Sequence, residues 1–181
     1  MKRILLSFLL LISLIVISGC EMDNTPTKKV ENYLNNYKTL NEEVLTQLDD
    51  TINLDTVMTA EQKNNYKDVL KRQYQNLVYE VKDEVVNGDT ATVTVEIEVY
   101  DYYKQNKESD TYYESNSDEF KDENGNVLET KYIDYRLDKL KNYNEKVKYT
   151  IDFYLEKVDK TWVMQDISEE VRQKIHGLYA Y

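Results

Sequence analysis

Two segments alternate strictly between apolar and polar residues, and this alternation constrains the fold more than any other feature of the sequence. In the first segment, 91–99, the apolar residues are Ala91, Val93, Val95, Ile97 and Val99. In the second, 147–155, they are Val147, Tyr149, Ile151, Phe153 and Leu155. A period of two places all of these side chains on one face of a strand, so each segment predicts a strand with one buried face.

Turn residues beside both segments predict two antiparallel hairpins. The first hairpin begins in an extended stretch at 79–81 and turns at Asn87-Gly88-Asp89 before the strand 91–99. The second turns at Asp159-Lys160 and returns through 162–167. Strands grouped in hairpins, with helices elsewhere in the chain, define the α+β class.

Helical spacing of apolar residues accounts for most of the remaining chain. Thr25 can cap a helix with Pro26 in its first turn, and one apolar stripe continues through 30–48. A second helix begins at Thr59, with Gln62 as its capping-box partner. A third is predicted over 128–143, and a short terminal helix is predicted between the cap Ser168 and the closing Gly177.

The stretch 103–126 is polar and weakly patterned, and it predicts a long loop with one helical turn at most. Loops of this length inside a compact domain are often functional. We therefore expect it to be a ligand-binding lid, with four candidate ligand residues: Tyr102, Tyr103, Tyr112 and Tyr113.

Residues 1–20 have the pattern of a secretory signal. Lys2 and Arg3 precede a largely apolar stretch of 14 residues, 4–17, which ends at the small residues Ser18 and Gly19. The stretch is shorter than the roughly 18 apolar residues that a transmembrane helix needs. An uncleaved anchor and an ordinary secretory signal without a lipid are the alternatives to the interpretation that follows.

The sequence Ile17-Ser18-Gly19-Cys20 resembles the lipobox of bacterial lipoprotein signal peptides. The resemblance implies removal of 1–19, a diacylglycerol on the Cys20 sulfur and a possible acyl group on the new amino terminus. Cys20 is the only cysteine of the chain, so it has no partner for an internal disulfide. We expect a lipid anchor at the extracytoplasmic face of the cell membrane, a tether over 20–25 and a single domain over 26–181.

The charge of the chain limits its partners. Loss of Lys2 and Arg3 with the signal changes the net charge from −11 to −13. Nucleic acid is excluded, because its binding needs a basic surface. Divalent cations or basic partners are electrostatically compatible, although an acidic surface also simply keeps a tethered domain soluble.

Few residues indicate catalysis. The chain has one histidine, His176, whose place at the end of the terminal helix is favoured by the helix dipole, and a two-histidine metal site is excluded. The stretch 118–125 is rich in oxygen ligands, but its spacing does not fit an EF-hand and favours a hairpin tip. We expect no catalytic, cofactor or metal residues.

The whole pattern resembles the NTF2-like, or cystatin-like, group of small lipoproteins from Gram-positive bacteria. The resemblance rests on the lipobox, on the helix opened by Pro26-Thr27 and on the late hairpin that ends in Lys160-Thr161-Trp162-Val163. It implies a cone, in which a curved antiparallel sheet of about four strands packs on N-terminal helices. We expect a non-enzymatic module that binds an envelope protein, a peptide or a glycan. The alternative is a small isomerase or hydrolase that uses Asp and Tyr groups in the cone, with Asp101, Asp134 and Asp152 as the candidates.

Overall fold

The computed structural model describes residues 24–181, which form six α-helices, one short 3-10 helix and a four-stranded antiparallel sheet. The predicted α+β class is confirmed. The predicted signal peptide 1–19, Cys20 and the tether as far as residue 23 lie outside the described residues. No helix within 24–181 is both long and apolar enough to cross a membrane. In chain order the elements are α1 (Pro26–Lys38), α2 (Glu42–Asn53), α3 (Ala60–Gln75), β1 (Val78–Asn87), β2 (Thr90–Tyr100), α4 (Tyr102–Ser115), the 3-10 helix (Ser117–Phe120), α5 (Glu129–Asn142), β3 (Lys146–Val158), β4 (Thr161–Met164) and α6 (Glu169–His176).

The sheet is a meander in the order β1, β2, β3, β4, and every neighbouring pair is antiparallel. Both predicted hairpins form, and their alternating strands β2 and β3 pair directly with each other. Both hairpin turns lie at the same end of the sheet, because Thr90 is opposite Glu156. The returning strand β4 is shorter than the predicted 162–167 and ends at Met164.

The hydrophobic core lies between one face of the sheet and the helices. The alternate residues of β2 and β3 that face the core are almost fully buried, and Val93, Val95 and Ile97 have no exposed surface. The helices α1 and α6 lie against the sheet and α3 packs on both of them, while α2 packs on α3 and α5 joins α3 to α4. The opposite face of the sheet is open to solvent along β2 and β3.

The apolar stripe over 30–48 predicts one continuous helix, and this is wrong. Leu40 has a positive φ of 52°, so the backbone leaves the right-handed helical region and α1 ends before it. Asn41 then caps α2, because its side-chain oxygen accepts a hydrogen bond from the backbone N–H of Val44 at 3.0 Å. The same stripe therefore belongs to two helices that share one core.

The predicted loop over 103–126 is also wrong for most of its length. Residues Tyr102–Ser115 form α4, and its buried face consists of Tyr102, Gln105 and Ser109. Two of these three residues are polar, so the face that packs inward leaves no apolar stripe in the sequence. Only the segment after the 3-10 helix, with its turn at Asn124-Gly125, has the predicted irregular backbone.

The predicted ends of the other helices are confirmed. Thr59 and Gln62 form the capping box of α3 in both directions. Ser168 caps α6, and Gly177 closes it in the left-handed conformation with a φ of 70°.

Candidate functional site

The four predicted ligand tyrosines lie on α4 as two separate pairs. The Tyr102 ring is buried, with 1% of its surface exposed, and its hydroxyl donates to the carbonyl of Val69 at 3.3 Å. Tyr103 packs against the ring of Tyr181. These two residues therefore connect the start of α4 to other elements, and their role in ligand binding stays a prediction.

The second pair, Tyr112 and Tyr113, lies at the other end of α4 around the buried ring of Phe120. The rings of Tyr132 and Tyr135 on α5 complete the cluster, with Tyr135 stacked on Tyr112 at a centroid distance of 4.9 Å. Such aromatic contacts fasten α4 to α5. The structure does not bring Tyr112 and Tyr113 together with Tyr102 and Tyr103 on one surface.

The three candidate aspartates lie in three places. The Asp101 carboxylate caps α4 through the backbone N–H of Lys104 and accepts a hydrogen bond from the Tyr181 hydroxyl at 2.6 Å. Asp134 accepts a hydrogen bond from the amide of Gln62, and Asp152 accepts one from the hydroxyl of Thr94. The Asp and Tyr pairing expected for an enzyme is present at Asp101, where one carboxylate oxygen already serves as a helix cap.

The acidic stretch 118–125 leads into a hairpin tip, as predicted. Lys121 and Val127 form an antiparallel bridge around the turn. The Asp122 carboxylate accepts hydrogen bonds from the side chain of Asn126 and from the backbone N–H groups of Asn126 and Asn124. These bonds keep the pKa of Asp122 below its usual range. These bonds hold the turn and direct the carboxylate toward its own backbone.

Of three clefts among residues 24–181, the one between α2, α3 and α6 is the most enclosed and has the most apolar lining, although the other two are larger. Its volume is about 270 Å³, near the lower limit for small-molecule pockets. Most of the lining comes from α2 and α3, and α1, the loop after α2 and α6 supply the rest. The lining residues are mostly apolar or aromatic: Tyr37, Val44, Gln47, Leu48, Thr51, Ile52, Asp55, Met58, Tyr66, Leu70, Tyr74, Arg172 and His176.

Aromatic and polar contacts connect Tyr37, Tyr74 and His176, which line this cleft. The Tyr74 hydroxyl lies 3.0 Å from Nε2 of His176, and the Tyr37 ring meets the Tyr74 ring edge to face at 5.0 Å. The Tyr37 hydroxyl lies 3.1 Å from that of Tyr33. A ligand in the cleft therefore meets apolar walls and a small number of polar groups placed by three different helices.

The His176 imidazole and the hydroxyls of Tyr37 and Tyr74 are uncharged at neutral pH. Burial lowers the pKa of His176 to about 4, and burial raises the pKa values of Tyr37 and Tyr74. From the sequence, the helix dipole is expected to favour His176 at the end of α6, but a dipole favours the protonated imidazole, whereas burial keeps this one neutral. The charged residues Arg172 and Asp55 both line the cleft, and the Asp55 carboxylate is bound by the backbone N–H groups of its own loop.

The buried amide of Gln73 holds the inner end of the cleft together. Its nitrogen donates to the carbonyls of Tyr100 at 2.8 Å and His176 at 2.9 Å, and its oxygen accepts from the backbone N–H of Tyr100 at 2.8 Å. One side chain thus joins α3, the end of β2 and the end of α6. Because His176 is held through its own backbone, its ring position depends on this junction.

The sequence does not reveal this cleft. Its tyrosines fit the apolar stripes of two helices, where they predict ordinary core packing. The isolated His176 is 102 residues away from Tyr74 in the chain, so no local motif joins them. The only signal in the sequence is the unusual number of tyrosines on core-facing positions.

We expect stability to fall as the pH is lowered from 6.5 to 5, because of His176. The unfolded histidine binds a proton near pH 6.5, while the folded one does so only near pH 4. In this window the unfolded state holds more protons, so the free energy of unfolding rises with pH, by about 2 kcal/mol between pH 5 and pH 6.5. Urea unfolding at several pH values measures the change.

The matched control for this prediction is His176→Gln, which removes the only histidine and keeps a hydrogen-bonding group beside Tyr74. Its stability should change much less than that of the wild type between pH 5 and pH 6.5, because the contribution of the histidine is absent. A pKa near 6.5 for the folded histidine, measured by NMR, would contradict the prediction.

Comparison with known proteins finds a structural similarity but assigns no family. No family model matches the chain. A crystal structure of ycdA, a proposed lipoprotein from Bacillus subtilis, is similar over 91% of this chain, with 13% sequence identity and a TM-score of 0.45. The chain spans about half the length of that protein, since the match covers 51% of it. The NTF2-like resemblance stays a prediction.

Proposed function

We propose that the protein is a lipid-anchored, extracytoplasmic binding module of the cell envelope, with the cleft between α2, α3 and α6 as its binding site. The observation that carries the binding role is the combination of apolar walls with hydrogen-bonding groups fixed on three helices. Cys20 is the residue that receives the lipid. The lipobox-like sequence at 17–20 supports the anchor, and Asn24, four residues later, is already part of the folded domain.

The lining of the cleft favours a ligand with an apolar group. Leu48, Ile52 and Leu70 offer aliphatic contacts, and Tyr66 and Tyr74 offer aromatic ones. The volume of about 270 Å³ suits one large side chain or a ring of comparable size. A peptide or the exposed segment of an envelope protein fits this description better than a bare glycan, whose surface is mostly polar.

The electrostatics of the cleft support binding without catalysis. General base catalysis works best with a group whose pKa is close to the working pH. The pKa of His176 is lowered to about 4, and burial keeps the tyrosines protonated. At neutral pH these groups offer hydrogen bonds to a ligand and a weak driving force for proton transfer.

A variant that blocks the mouth of the cleft tests the proposal. Gln47 lines the cleft and is exposed, so Gln47→Trp should place an indole across the opening without disturbing the core. Thr46→Trp is the matched control, because the neighbouring Thr46 is exposed on α2 and does not line the cleft. The probes are N-acetyl amino-acid amides with leucine, phenylalanine or tryptophan side chains.

We expect at least one of these probes to shift the NMR signals of His176 and Tyr74 in a saturable way in the wild type and in Thr46→Trp. The shifts should be lost in Gln47→Trp. Equal binding by both variants would place the ligand elsewhere and overturn the assignment of the cleft. Failure of all three probes to bind the wild type would overturn the apolar ligand class.

A further inference from the structure

The described chain begins at the end of the sheet where both hairpins turn. The Asn24 amide donates to the carbonyl of Lys160 at 2.9 Å, and its oxygen accepts from the backbone N–H of Trp162 at 3.0 Å. Two residues into α1, the backbone and hydroxyl of Thr27 both donate to the carboxylate of Glu84 on β1. These contacts fix the start of α1 beside the β3–β4 turn and the last residues of β1. We call this region the hairpin end.

The distance from Cys20 to the hairpin end is short. Four residues of extended chain span at most about 14 Å, so Asn24 lies within that distance of the Cys20 backbone. An acylated Cys20 lies at the lipid surface. The hairpin end must then be close to the same surface, whereas the rest of the domain is free of this constraint.

The side chains exposed on the outer face of the sheet differ between its two ends. Far from the hairpin end, charged side chains pair across the strands: Lys146 with Glu98 at 3.1 Å and Lys148 with Glu96 at 2.9 Å. Toward the hairpin end these pairs stop, and apolar and hydroxyl side chains lie beside the carboxylates of Asp152 and Glu156. Four large apolar residues are exposed there, by 45% to 57% of their surface: Val85, Tyr154, Val158 and Val163.

Strand register places these four residues on one surface. Val85 is opposite Thr92, which is opposite Tyr154, so these three form one row across the sheet. Val163 pairs with Glu156, between Tyr154 and Val158 on the same face of β3, since alternate residues share a face. The four residues, which we call the valine patch, extend over β1, β3 and β4, about 14 Å across the strands.

We infer that the valine patch rests on the lipid surface when Cys20 is acylated. This inference depends on the lipid anchor of the proposed function. The short tether brings the hairpin end to the membrane, and the valine patch offers apolar contacts and one tyrosine, a residue that suits the boundary between lipid and water. The net charge of −13 after loss of 1–19, and the Glu156 carboxylate within the patch, repel anionic headgroups, so the contact depends on the apolar side chains.

Docking in this orientation leaves the cleft away from the membrane. Pro26 lies at the hairpin end, and Tyr37, which lines the cleft, is eleven residues further along α1. A helix rises 1.5 Å per residue, so the two positions are about 16 Å apart. The anchored module then presents its binding site to the envelope space and its sheet end to the lipid.

An environment-sensitive fluorophore tests the orientation in the full-length, lipid-modified protein, reconstituted in phosphatidylcholine vesicles. Val163→Cys carries the probe on the patch, and Val78→Cys is the matched control. Val78 is a valine of the same outer face with similar exposure, 51% against 45%, but it lies opposite Glu98 at the other end of the sheet. Nitroxide-labelled lipids quench only a probe that is at the lipid surface.

We expect quenching at Val163→Cys to exceed that at Val78→Cys by about threefold or more, since interfacial apolar groups enter the headgroup region by about 5–10 Å. If both probes are quenched weakly and equally while the protein still floats with the vesicles, the docking is overturned and the lipid anchor is not. Protein that does not float with the vesicles would overturn the anchor itself. A different result would be emission of the fluorophore that shifts to the blue as the protein density on the vesicles rises, without quenching by the labelled lipids. That result would show that the patch binds a second copy of the chain and would overturn the inference.

Discussion

Cys20→Ala is expected to abolish incorporation of an alkyne fatty-acid label into the protein and to leave residues 1–19 attached. The lipid is joined through the thiol, and this chain has no second cysteine that could replace it. Two or more acyl chains hold a protein stably at a membrane, with about 0.8 kcal/mol for each buried methylene, so the loss removes the whole anchor. Intact-mass measurement of the membrane fraction detects both changes.

Fractionation alone would be misleading in this experiment, because a retained signal stretch can also bind lipid. Ser18→Ala is the matched control, since it keeps a small residue two positions before Cys20 and should be labelled normally. Wild-type protein that carries no lipid mass would disprove the lipid anchor. Wild-type protein that retains 1–19 would instead identify an uncleaved anchor.

Gly177→Ala is expected to lower the free energy of unfolding by about 3–5 kcal/mol. This is the loss expected when a steric clash breaks a buried hydrogen-bond network. The added methyl group would overlap the carbonyl of Tyr100 and the amide nitrogen of Gln73, and the φ of 70° is itself unfavourable for alanine. The Gln73 amide makes three hydrogen bonds to buried backbone at this junction. Displacing it leaves those groups without partners.

Two other glycines provide controls with the same backbone conformation. Gly88 and Gly125 also have positive φ angles, of 61° and 83°, but an added methyl group at either position meets no atom within 4 Å. Alanine there should cost only about 1 kcal/mol, the backbone strain alone. Urea unfolding of the three variants separates the clash from the strain, and equal losses at Gly177 and Gly88 would refute the role given to the junction.

The fold was predictable wherever burial follows apolar character. Strands β2 and β3 alternate so regularly that their positions and their buried face could be predicted, although their pairing with each other was not, and the caps Thr59 and Ser168 fix two helix ends. The prediction fails on α4, whose buried face contains Gln105 and Ser109. It also fails at Leu40, where a change in one backbone angle divides a continuous stripe.

The candidate site was not predictable, for a related reason. Tyr74 and His176 meet because α3 packs on α6, and each residue looks ordinary in its own segment. The position of Gln73 inside a helix gives no sign that it binds the ends of β2 and α6. Long-range polar contacts of this kind depend on tertiary structure and have no local period.

The contacts of Asn24 and Gln73 also set the point in synthesis at which the fold can be completed. Asn24 bonds to Trp162, 138 residues later, and Gln73 bonds to His176, 103 residues later. Non-local contacts such as these form late, because their loops must close first. The fold can therefore be completed only after the last helix, α6, has been synthesised.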